Sequence, residues 1–315
     1  MSRSRKKTSP PEIEVLTREV PLPDTENNSE KFVSIIIPAY NEEGAIDNQL
    51  KRIENVMSKT EWKYEIIVVD DGSRDGTVQE ALKHDVILLQ QPENRGYGAA
   101  LKKGISHARA EKVLIIDADG TYPAEAIPDL LEKSAHYDMV VGARVGDNVE
   151  IPWARRPAKW FLRKLASYLA EYPIPDLNSG LRVMNKEAVK HFYHILPSGF
   201  SFTTTITLAF FSNDLLVHYH PIEYAKRIGK SKIKPTDAYH FLLLILRTIV
   251  FFNPLRVFLP MGMFFFVLGM GKFIYDLFIG NLSETAVMGF LAAFIIWAIG
   301  LLSDQISRVG LGGKQ

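Results

Sequence analysis

The sequence predicts an α/β domain that is followed by a hairpin of two membrane-spanning helices. The α/β class is indicated because short apolar runs alternate with helical patterns between residues 33 and 142. The hairpin is indicated by two long apolar stretches near the C-terminus. Residues 1–31 differ from both regions: they are rich in Ser, Pro, Glu and Lys, contain no apolar core of a signal peptide, and predict a disordered cytoplasmic tail.

Composition excludes several classes of function. The chain carries 37 Lys and Arg against 36 Asp and Glu, a formal net charge of +1, so bulk charge gives no support for nucleic-acid binding. Cysteine is absent, which excludes disulfides, Cys-ligated zinc, iron–sulfur clusters and a cysteine nucleophile.

The alternation between residues 33 and 142 predicts a parallel sheet with helices on both faces. Predicted strands cover residues 33–37, 65–69, 86–89, 113–116 and 139–141, and the helical patterns between them cover 43–57, 97–108 and 124–135. Ligands of such sheets bind at the carboxyl ends of the strands. The segments that directly follow each strand are therefore the candidate site.

Acidic clusters follow three of these strands, as PAYNEE (38–43), DDGSRDGT (70–77) and DADG (117–120). Carboxylates that lie close together raise one another's pKa unless a cation or hydrogen-bond donors compensate. A hard divalent ion held by Asp117 and Asp119 would provide that compensation and could also bridge the phosphates of a nucleotide.

Other phosphate-binding motifs fit less well. No Gly-X-Gly-X-X-Gly opens the first helix and no Gly-Lys-Ser/Thr follows a strand, which disfavours dinucleotide and Walker-type sites. The segment DADGT (117–121) also matches the Asp-X-Asp-Gly-Thr motif of haloacid-dehalogenase-type phosphatases. In that family the motif ends the first strand of the domain, whereas three strand–helix units precede it in this chain.

The apolar stretches 257–279 and 285–303 are each long enough to cross a hydrocarbon core, and residues 280–284 join them. The charged residues of the first stretch are Lys272 and Asp276. They lie one helical turn apart and can pair. The alternative is a pair of buried helices in a soluble domain. The joining turn has no Lys or Arg, whereas both flanks of the two stretches do, which predicts that the flanks are cytoplasmic.

Residues 239–252 predict a helix that lies in the membrane interface. The alternative is a core helix of the soluble domain.

Seven sequence blocks, in order, resemble the family 2 glycosyltransferases of GT-A fold, close to the dolichol-phosphate mannose synthase and polyprenyl-phosphate glycosyltransferase group. The blocks are VSIIIPAYNEE (33–43), EIIVVDDGSRDGT (65–77), NRGYGAALKKGI (94–105), IIDADG (115–120), VVGAR (140–144), DLNSGLRVM (176–184) and RIGKSKI (227–233). The resemblance implies a hexosyltransferase with four regions: a tail (1–31), a GT-A domain with a Rossmann-like sheet (32–234), an interfacial amphipathic region (235–254) and a hairpin with a short C-terminal tail (255–315).

The resemblance also implies roles for individual residues. The nucleotide of a GDP- or UDP-sugar would be bound by Pro38, Tyr40, Glu42, Asp70, Asp71 and Asp117. A Mg²⁺ or Mn²⁺ ion on its diphosphate would be held by Asp117 and Asp119. Phosphate oxygens, including those of the acceptor, would be bound by Arg144, Arg227, Ser231 and Lys232.

The candidate catalytic residues are Asp119, Arg144, Asp176 and Arg182. The block around Arg182 resembles a Ser-Gly-X-Arg segment that lies beside the family's acceptor site, and Asp176 is predicted to orient Arg182 or the sugar. The alternative for Asp176 is an ordinary ion pair in a turn. A polyprenyl or dolichyl monophosphate acceptor is largely dianionic at neutral pH, so it needs cationic positioning rather than a strong general base.

Alternatives remain open at this point. The acceptor could be a diacylglycerol or a lipid-linked oligosaccharide, or the chain could be a non-catalytic membrane scaffold of the same fold. Thr121 stands where the mannose synthases usually carry Gln, which implies that water takes part in metal coordination there. Threonines in the segment FTTTIT (202–207) stand where relatives often present a carboxylate, so the sugar is left undetermined. We expect membrane lipids as partners and, because two spans offer little packing surface, a homo-oligomer.

Overall fold

The computed structural model describes residues 31–144, 172–199, 201–223, 253–281 and 283–312, together with Val15, Leu16, Lys164, Ser167, Tyr168, Leu243, Leu246, Val250 and Phe251. The chain divides into two compact units. Unit 1 comprises residues 1–150, 178–203 and 216–230, and unit 2 comprises residues 151–177, 204–215 and 231–315. The predicted interfacial helix lies almost wholly outside the described residues.

Unit 1 is built on a mixed sheet. Its strands are β1 (Val15–Leu16), β2 (Phe32–Ala39), β3 (Lys63–Asp70), β4 (Ile87–Gln90), β5 (Lys112–Ile115), β6 (Met139–Arg144), β7 (Arg182–Asn185) and β8 (Val217–Ile222). Its helices are α1 (Ile46–Met57), α2 (Thr77–Ala81), α3 (Tyr97–His107), α4 (Ile127–Lys133) after a 3₁₀ turn (Ala124–Ala126), and α5 (Lys186–His191). Helix α6 (Phe202–Ser212) continues from unit 1 into unit 2 along the chain.

The order of the described strands is β1-β4-β3-β2-β5-β7-β6-β8. Strands β4, β3, β2 and β5 are parallel, which confirms the predicted arrangement at the centre of the sheet. Strand β6 also runs parallel to β5, because strand β7 lies between them and is antiparallel to both. Strand β7 lies outside the predicted strands, and it has only two apolar residues, Val183 and Met184, between Arg182 and Asn185.

Strand β1 is a second departure from the predictions. Val15 and Leu16 pair antiparallel with Leu89 and Leu88 at the edge of the sheet, whereas residues 1–31 were expected to be disordered throughout. Both residues are apolar, and their pairing satisfies backbone groups along the edge of β4. The rest of residues 1–30 lies outside the described part of the chain.

The core of unit 1 packs helices on both faces of the sheet, as predicted. Helix α1 buries Ile46, Leu50 and Ile53 in one apolar cluster with Val33, Ile35 and Ile37 of β2. Because side chains alternate along a strand, Ile36 points to the opposite face. Helix α3 covers that face at close range, since a β-carbon added to Gly104 would lie 2.5 Å from Ile36 Cγ2.

Unit 2 contains a helical hairpin formed by α7 (Leu255–Ile279) and α8 (Glu284–Gly312). Both helices are long and apolar enough to cross a membrane, as predicted for 257–279 and 285–303. Only 11% and 17% of their most apolar windows are buried within the structure. Such exposure argues against the alternative of buried helices in a soluble core.

Small residues allow the two hairpin helices to approach closely. A β-carbon added to Gly289 would lie 2.7 Å from Gly269 Cα, so the helix backbones touch at this crossing. Gly262 makes room in the same way for the indole of Trp297, which donates a hydrogen bond from Nε1 to Leu259 O at 3.2 Å.

A buried carboxylate closes the turn of the hairpin. Asp276 is 2% exposed and forms the predicted pair with Lys272. It also accepts hydrogen bonds from the backbone N–H of Ser283, at 2.9 Å, and from the Ser283 hydroxyl. Gly280 ends α7 with φ +73°, a conformation that glycine adopts without steric cost. The side chain of Asp276 therefore ties the end of α7 to the residue that precedes α8.

We predict that Asp276→Ala destabilises the hairpin, because it leaves the Lys272 ammonium without its carboxylate and Ser283 without its acceptor. The midpoint of thermal unfolding in detergent should fall by roughly 5 °C. Ser283→Ala should have a smaller effect, and Glu284→Ala, which changes an exposed residue one position later, serves as the control. An unchanged midpoint for Asp276→Ala would contradict this role.

Candidate active site

The sheet brings the three predicted acidic segments to one edge of unit 1. Ala39 and Asp70 are register partners at the carboxyl ends of β2 and β3. Strand β5, which pairs with β2 on its other side, ends at Ile115, two residues before Asp117. The segments after β2, β3 and β5 consequently share one edge, as expected from parallel strands.

Hydrogen bonds join the segment after β2 to the segment after β3. The backbone N–H of Asn41 donates to Ser73 Oγ at 2.9 Å, and Arg74 N–H donates to Asn41 Oδ1 at 2.9 Å. The N–H of Glu42 donates to Thr77 Oγ1 at 2.8 Å. These bonds fix the backbone directly after Tyr40, whose side chain remains 38% exposed. Its ring is thus available to a planar ligand.

The two aspartates after β3 are buried and bonded to nearby backbone. Asp70 accepts a hydrogen bond from the N–H of Ser73 at 3.1 Å. Asp71 accepts from the N–H groups of Arg95 and Gly96 at 2.8 and 2.9 Å, and from Gln91 Nε2 at 2.9 Å. Asp71 therefore shapes the segment that leads into α3. Its predicted contact with a nucleotide, like that of Asp70, stays a prediction.

Asp117 accepts a hydrogen bond from the Tyr97 hydroxyl at 2.8 Å. Burial of that phenol, together with the negative charge of Asp117, raises the pKa of Tyr97 well above its usual value. The hydroxyl consequently stays protonated and remains a donor in the whole neutral range. Sequence analysis did not single out Tyr97, because nothing in its own block links it to a carboxylate twenty positions later.

Asp119 bonds locally within its own turn. Its Oδ1 accepts from the backbone N–H of Thr121 at 3.1 Å and from the Thr121 hydroxyl at 2.6 Å. Gly120, between them, has φ +71°. Thr121 thus serves as a hydrogen-bond donor to the second aspartate of the motif, and this is the position where the resemblance leads one to expect Gln.

Gly180 lies directly against the Asp117–Asp119 segment, which is called the metal motif below because a metal ion is predicted there. A β-carbon added to Gly180 would lie 2.3 Å from Asp117 Oδ2, so no side chain fits at this position. The Gly180 N–H donates to the hydroxyl of buried Tyr122 at 2.7 Å. The structure therefore brings the Ser-Gly-X-Arg segment and the first aspartate of the motif together.

The guanidinium of Arg182 is fully buried. It donates from Nε and Nη2 to Ser179 O, at 3.2 and 2.7 Å, and from Nη1 to Thr203 O at 3.2 Å. These contacts position the turn that carries Gly180. The predicted catalytic contact of Arg182 stays a prediction, as does the orienting role of Asp176, which is buried and belongs to unit 2.

Of the remaining predicted site residues, two lie in strands of the sheet and three lie outside the described residues. Arg144 is half-buried at the carboxyl end of β6, and Pro38 is buried in β2 opposite Val69. The predicted phosphate-binding residues Arg227, Ser231 and Lys232 lie outside the described residues.

The carboxylate oxygens of Asp117 and Asp119 are suitable ligands for a hard divalent cation. Carboxylate oxygens are the ligands that Mg²⁺ and Mn²⁺ prefer. Within the described ranges no group of three or more His, Cys, Asp or Glu side chains is clustered for a metal ion. Mg²⁺ sites commonly use one or two carboxylates together with substrate phosphates and water. Asp117 and Asp119 fit that description.

Comparison with known proteins identifies the family. Residues 34–192 match the family described as glycosyl transferase family 2, and residues 253–309 match the GtrB C-terminal hairpin. The first match covers half of the chain. The chain therefore belongs to glycosyl transferase family 2 and is a glycosyltransferase, which confirms the resemblance that the seven blocks indicate.

Individual relatives agree with this assignment. A dolichyl-phosphate beta-glucosyltransferase of Trichomonas vaginalis is 31% identical over 238 residues, 68% of this chain and 70% of that protein. A bactoprenol glucosyl transferase of Shigella phage SfV is 29% identical over 299 residues, 90% of this chain and 95% of the relative. The glucosyl-3-phosphoglycerate synthase of Mycobacterium tuberculosis, solved with Mn²⁺, uridine diphosphate and glucosyl-3-phosphoglycerate, has a TM-score of 0.56 at 19% identity over 70% of this chain and 80% of that one. This likeness confirms the predicted GT-A fold.

We predict that Gly180→Ala abolishes nucleotide binding while leaving the fold in place, because the added methyl group collides with the carboxylate of Asp117. Gly199→Ala is the matched control, since a β-carbon there meets nothing within 4 Å. Binding of uridine and guanosine diphosphates with Mn²⁺, measured by calorimetry alongside circular dichroism, tests this. Equal affinities for the two variants would contradict the assigned contact.

Proposed function

We propose that this glycosyltransferase moves one sugar from a nucleoside diphosphate to the phosphate of a polyprenyl lipid at the cytoplasmic face of the membrane. The observation that carries the proposal is that one chain contains both a membrane hairpin and a sheet edge at which several carboxylates of the kind that bind nucleotides lie together. The names of its relatives support it, since two of them use dolichyl phosphate or bactoprenol as stated in those names.

The donor side of the reaction is assigned to the carboxyl edge of unit 1. The exposed ring of Tyr40 would stack on the base, and Glu42 and Asp70 would accept hydrogen bonds from the base and ribose. Asp117 and Asp119 would hold Mg²⁺ or Mn²⁺. The ion would supply positive charge that stabilises the departing diphosphate. Arg144 would add a second cationic group near the phosphates.

The acceptor side is assigned to a cavity of about 620 Å³ in unit 2. It is lined by Lys164, Ser167, Tyr168, Tyr172, Pro173 and Arg256. Arg256 lies in the first turn of α7 and donates to Tyr168 O at 2.8 Å. Two cations and a hydroxyl suit a phosphate head group, and the exposed tyrosines suit the interface of a membrane. Sequence patterns did not single out this cavity.

The chemistry needs little proton transfer. A lipid monophosphate has a second pKa of about 6, so its oxygen is already a nucleophile at neutral pH. That oxygen would attack the anomeric carbon and form the new carbon–oxygen bond. The bond from the same carbon to the nucleoside diphosphate breaks, its electron pair leaves with the diphosphate, and the configuration inverts. The protein's contribution is to position both phosphates and to offset their charge.

The cytoplasmic location rests on charge asymmetry. Arg256 lies at the start of the first span, and residues 280–284, which join the spans, contain no Lys or Arg. Positively charged flanks remain on the cytoplasmic side. A homo-oligomer, predicted from the small packing surface of two spans, stays a prediction.

The activity is tested by incubating the purified membrane protein and Mn²⁺ with a panel of GDP- and UDP-sugars, with and without a polyprenyl monophosphate. We expect release of one nucleoside diphosphate only when the lipid phosphate is present, and a loss of at least about a hundredfold in Asp119→Asn. Release that is indifferent to lipid phosphate would favour another acceptor. No release from any donor would favour a non-catalytic scaffold.

The acceptor cavity is tested by Lys164→Ala, which removes one of its two cations. We expect the KM for the lipid phosphate to rise roughly tenfold, because a charge-assisted contact is lost, while the KM for the sugar nucleotide stays unchanged. Lys164→Arg should retain most of the affinity. Lys190→Ala removes an exposed lysine from unit 1 and is the control. Equal KM values for Lys164→Ala and the parent would place the acceptor elsewhere.

A further inference from the structure

Helix α1 carries a buried polar side chain that has no hydrogen-bond partner among the described residues. Gln49 is 0% exposed, and neither its Nε2 nor its Oε1 is bonded to any group in the described part of the chain. Its neighbours along the buried face of α1 are Ile46, Leu50 and Ile53. An apolar side chain at this position would avoid the cost of removing an amide from water. We therefore expect another state of the protein in which the Gln49 amide forms hydrogen bonds.

The Gln49 side chain faces the metal motif. A β-carbon added to Gly120 would have Gln49 Oε1 as its near neighbour, at 3.9 Å. One turn later on the same helix, Arg52 donates to Gly120 O at 3.4 Å and forms a two-pronged ion pair with Glu125. Helix α1 thus presents two polar side chains to this turn. One of them is bonded to the turn, and the other is not.

Binding of a cation would change the hydrogen bonds of this turn. Oδ1 of Asp119 accepts from both the N–H and the hydroxyl of Thr121. A divalent ion bound at this oxygen would compete with the two donors for its lone pairs, and the backbone between Asp119 and Thr121 would then readjust. Gly120, at positive φ, can change its peptide orientation at little cost. A carboxamide offers both a donor and an acceptor to whichever peptide group turns toward it.

We propose that Gln49 is a positioning residue for the divalent ion and bonds the Asp119–Gly120 peptide when Asp119 turns to the metal. This inference rests on the proposed metal dependence of the enzyme and adds a residue outside the metal motif to it. The expected signature is a pair of opposite effects. Removing the amide weakens metal binding, yet it leaves the metal-free protein equally or more stable, since an unpartnered buried group is gone.

The test uses Gln49→Leu and Gln49→Met, of which the second matches the unbranched shape of glutamine and keeps the test available if the first fails to fold. Free Mn²⁺ is measured by electron paramagnetic resonance with the full-length protein and saturating UDP or GDP, and thermal unfolding is followed without metal. We expect the Kd for Mn²⁺ to rise roughly tenfold in both variants, as for other residues that support metal ligands. The unfolding midpoint without metal should be equal to or above that of the parent.

Ser134→Ala is the matched control, because Ser134 is also buried and polar but bonds Leu131 O at 2.7 Å, outside the metal motif. It should leave the Kd for Mn²⁺ unchanged. If the parent binds Mn²⁺ and both Gln49 variants bind it within about twofold of the parent, the inference is wrong and the proposed function stands. If the parent binds no Mn²⁺ with either nucleotide, the metal dependence itself is wrong, and this inference is wrong with it.

Discussion

Carboxylate groups that lie together at one edge of a sheet repel each other, and this chain compensates for the repulsion with directed hydrogen bonds from its own backbone and side chains. Asp71 receives two backbone N–H groups and Gln91 Nε2, Asp119 receives two bonds from Thr121, and Asp117 receives the Tyr97 hydroxyl. These bonds fix the directions of the carboxylates. Asp71 and Asp117 are thereby held in place on the edge where we propose that the cation and the diphosphate bind.

In the hairpin, too, hydrogen bonds from nearby groups stabilise a carboxylate, here in apolar surroundings. Its helices pack through glycines at Gly269 and Gly289, and its turn is closed by hydrogen bonds to the buried carboxylate of Asp276. A polar group in an apolar surrounding is tolerated when its bonds are satisfied. Arg256, at the start of the hairpin, lines a cavity with Lys164, which gives unit 2 a cationic site beside the first span.

Much of this arrangement could be predicted from the sequence, because alternating strand and helix patterns and long apolar spans are strong local signals. The central strands, the helices on both faces and the Lys272–Asp276 pair follow from such patterns. Strand β7 did not, because it has only two apolar residues between Arg182 and Asn185. The contacts of Tyr97, Gly180 and Gln49 with the metal motif could not be predicted either, since each joins residues far apart in the chain through tertiary packing.

We propose that Asp117 and Asp119 hold a divalent ion on the diphosphate of the donor. A crystal structure of the full-length protein with Mn²⁺ and UDP or GDP tests this, because the anomalous signal of manganese locates the ion. We expect a manganese peak within about 2.5 Å of carboxylate oxygens of both aspartates and of the diphosphate. A nucleotide bound at this edge with no manganese peak beside the two aspartates would contradict it.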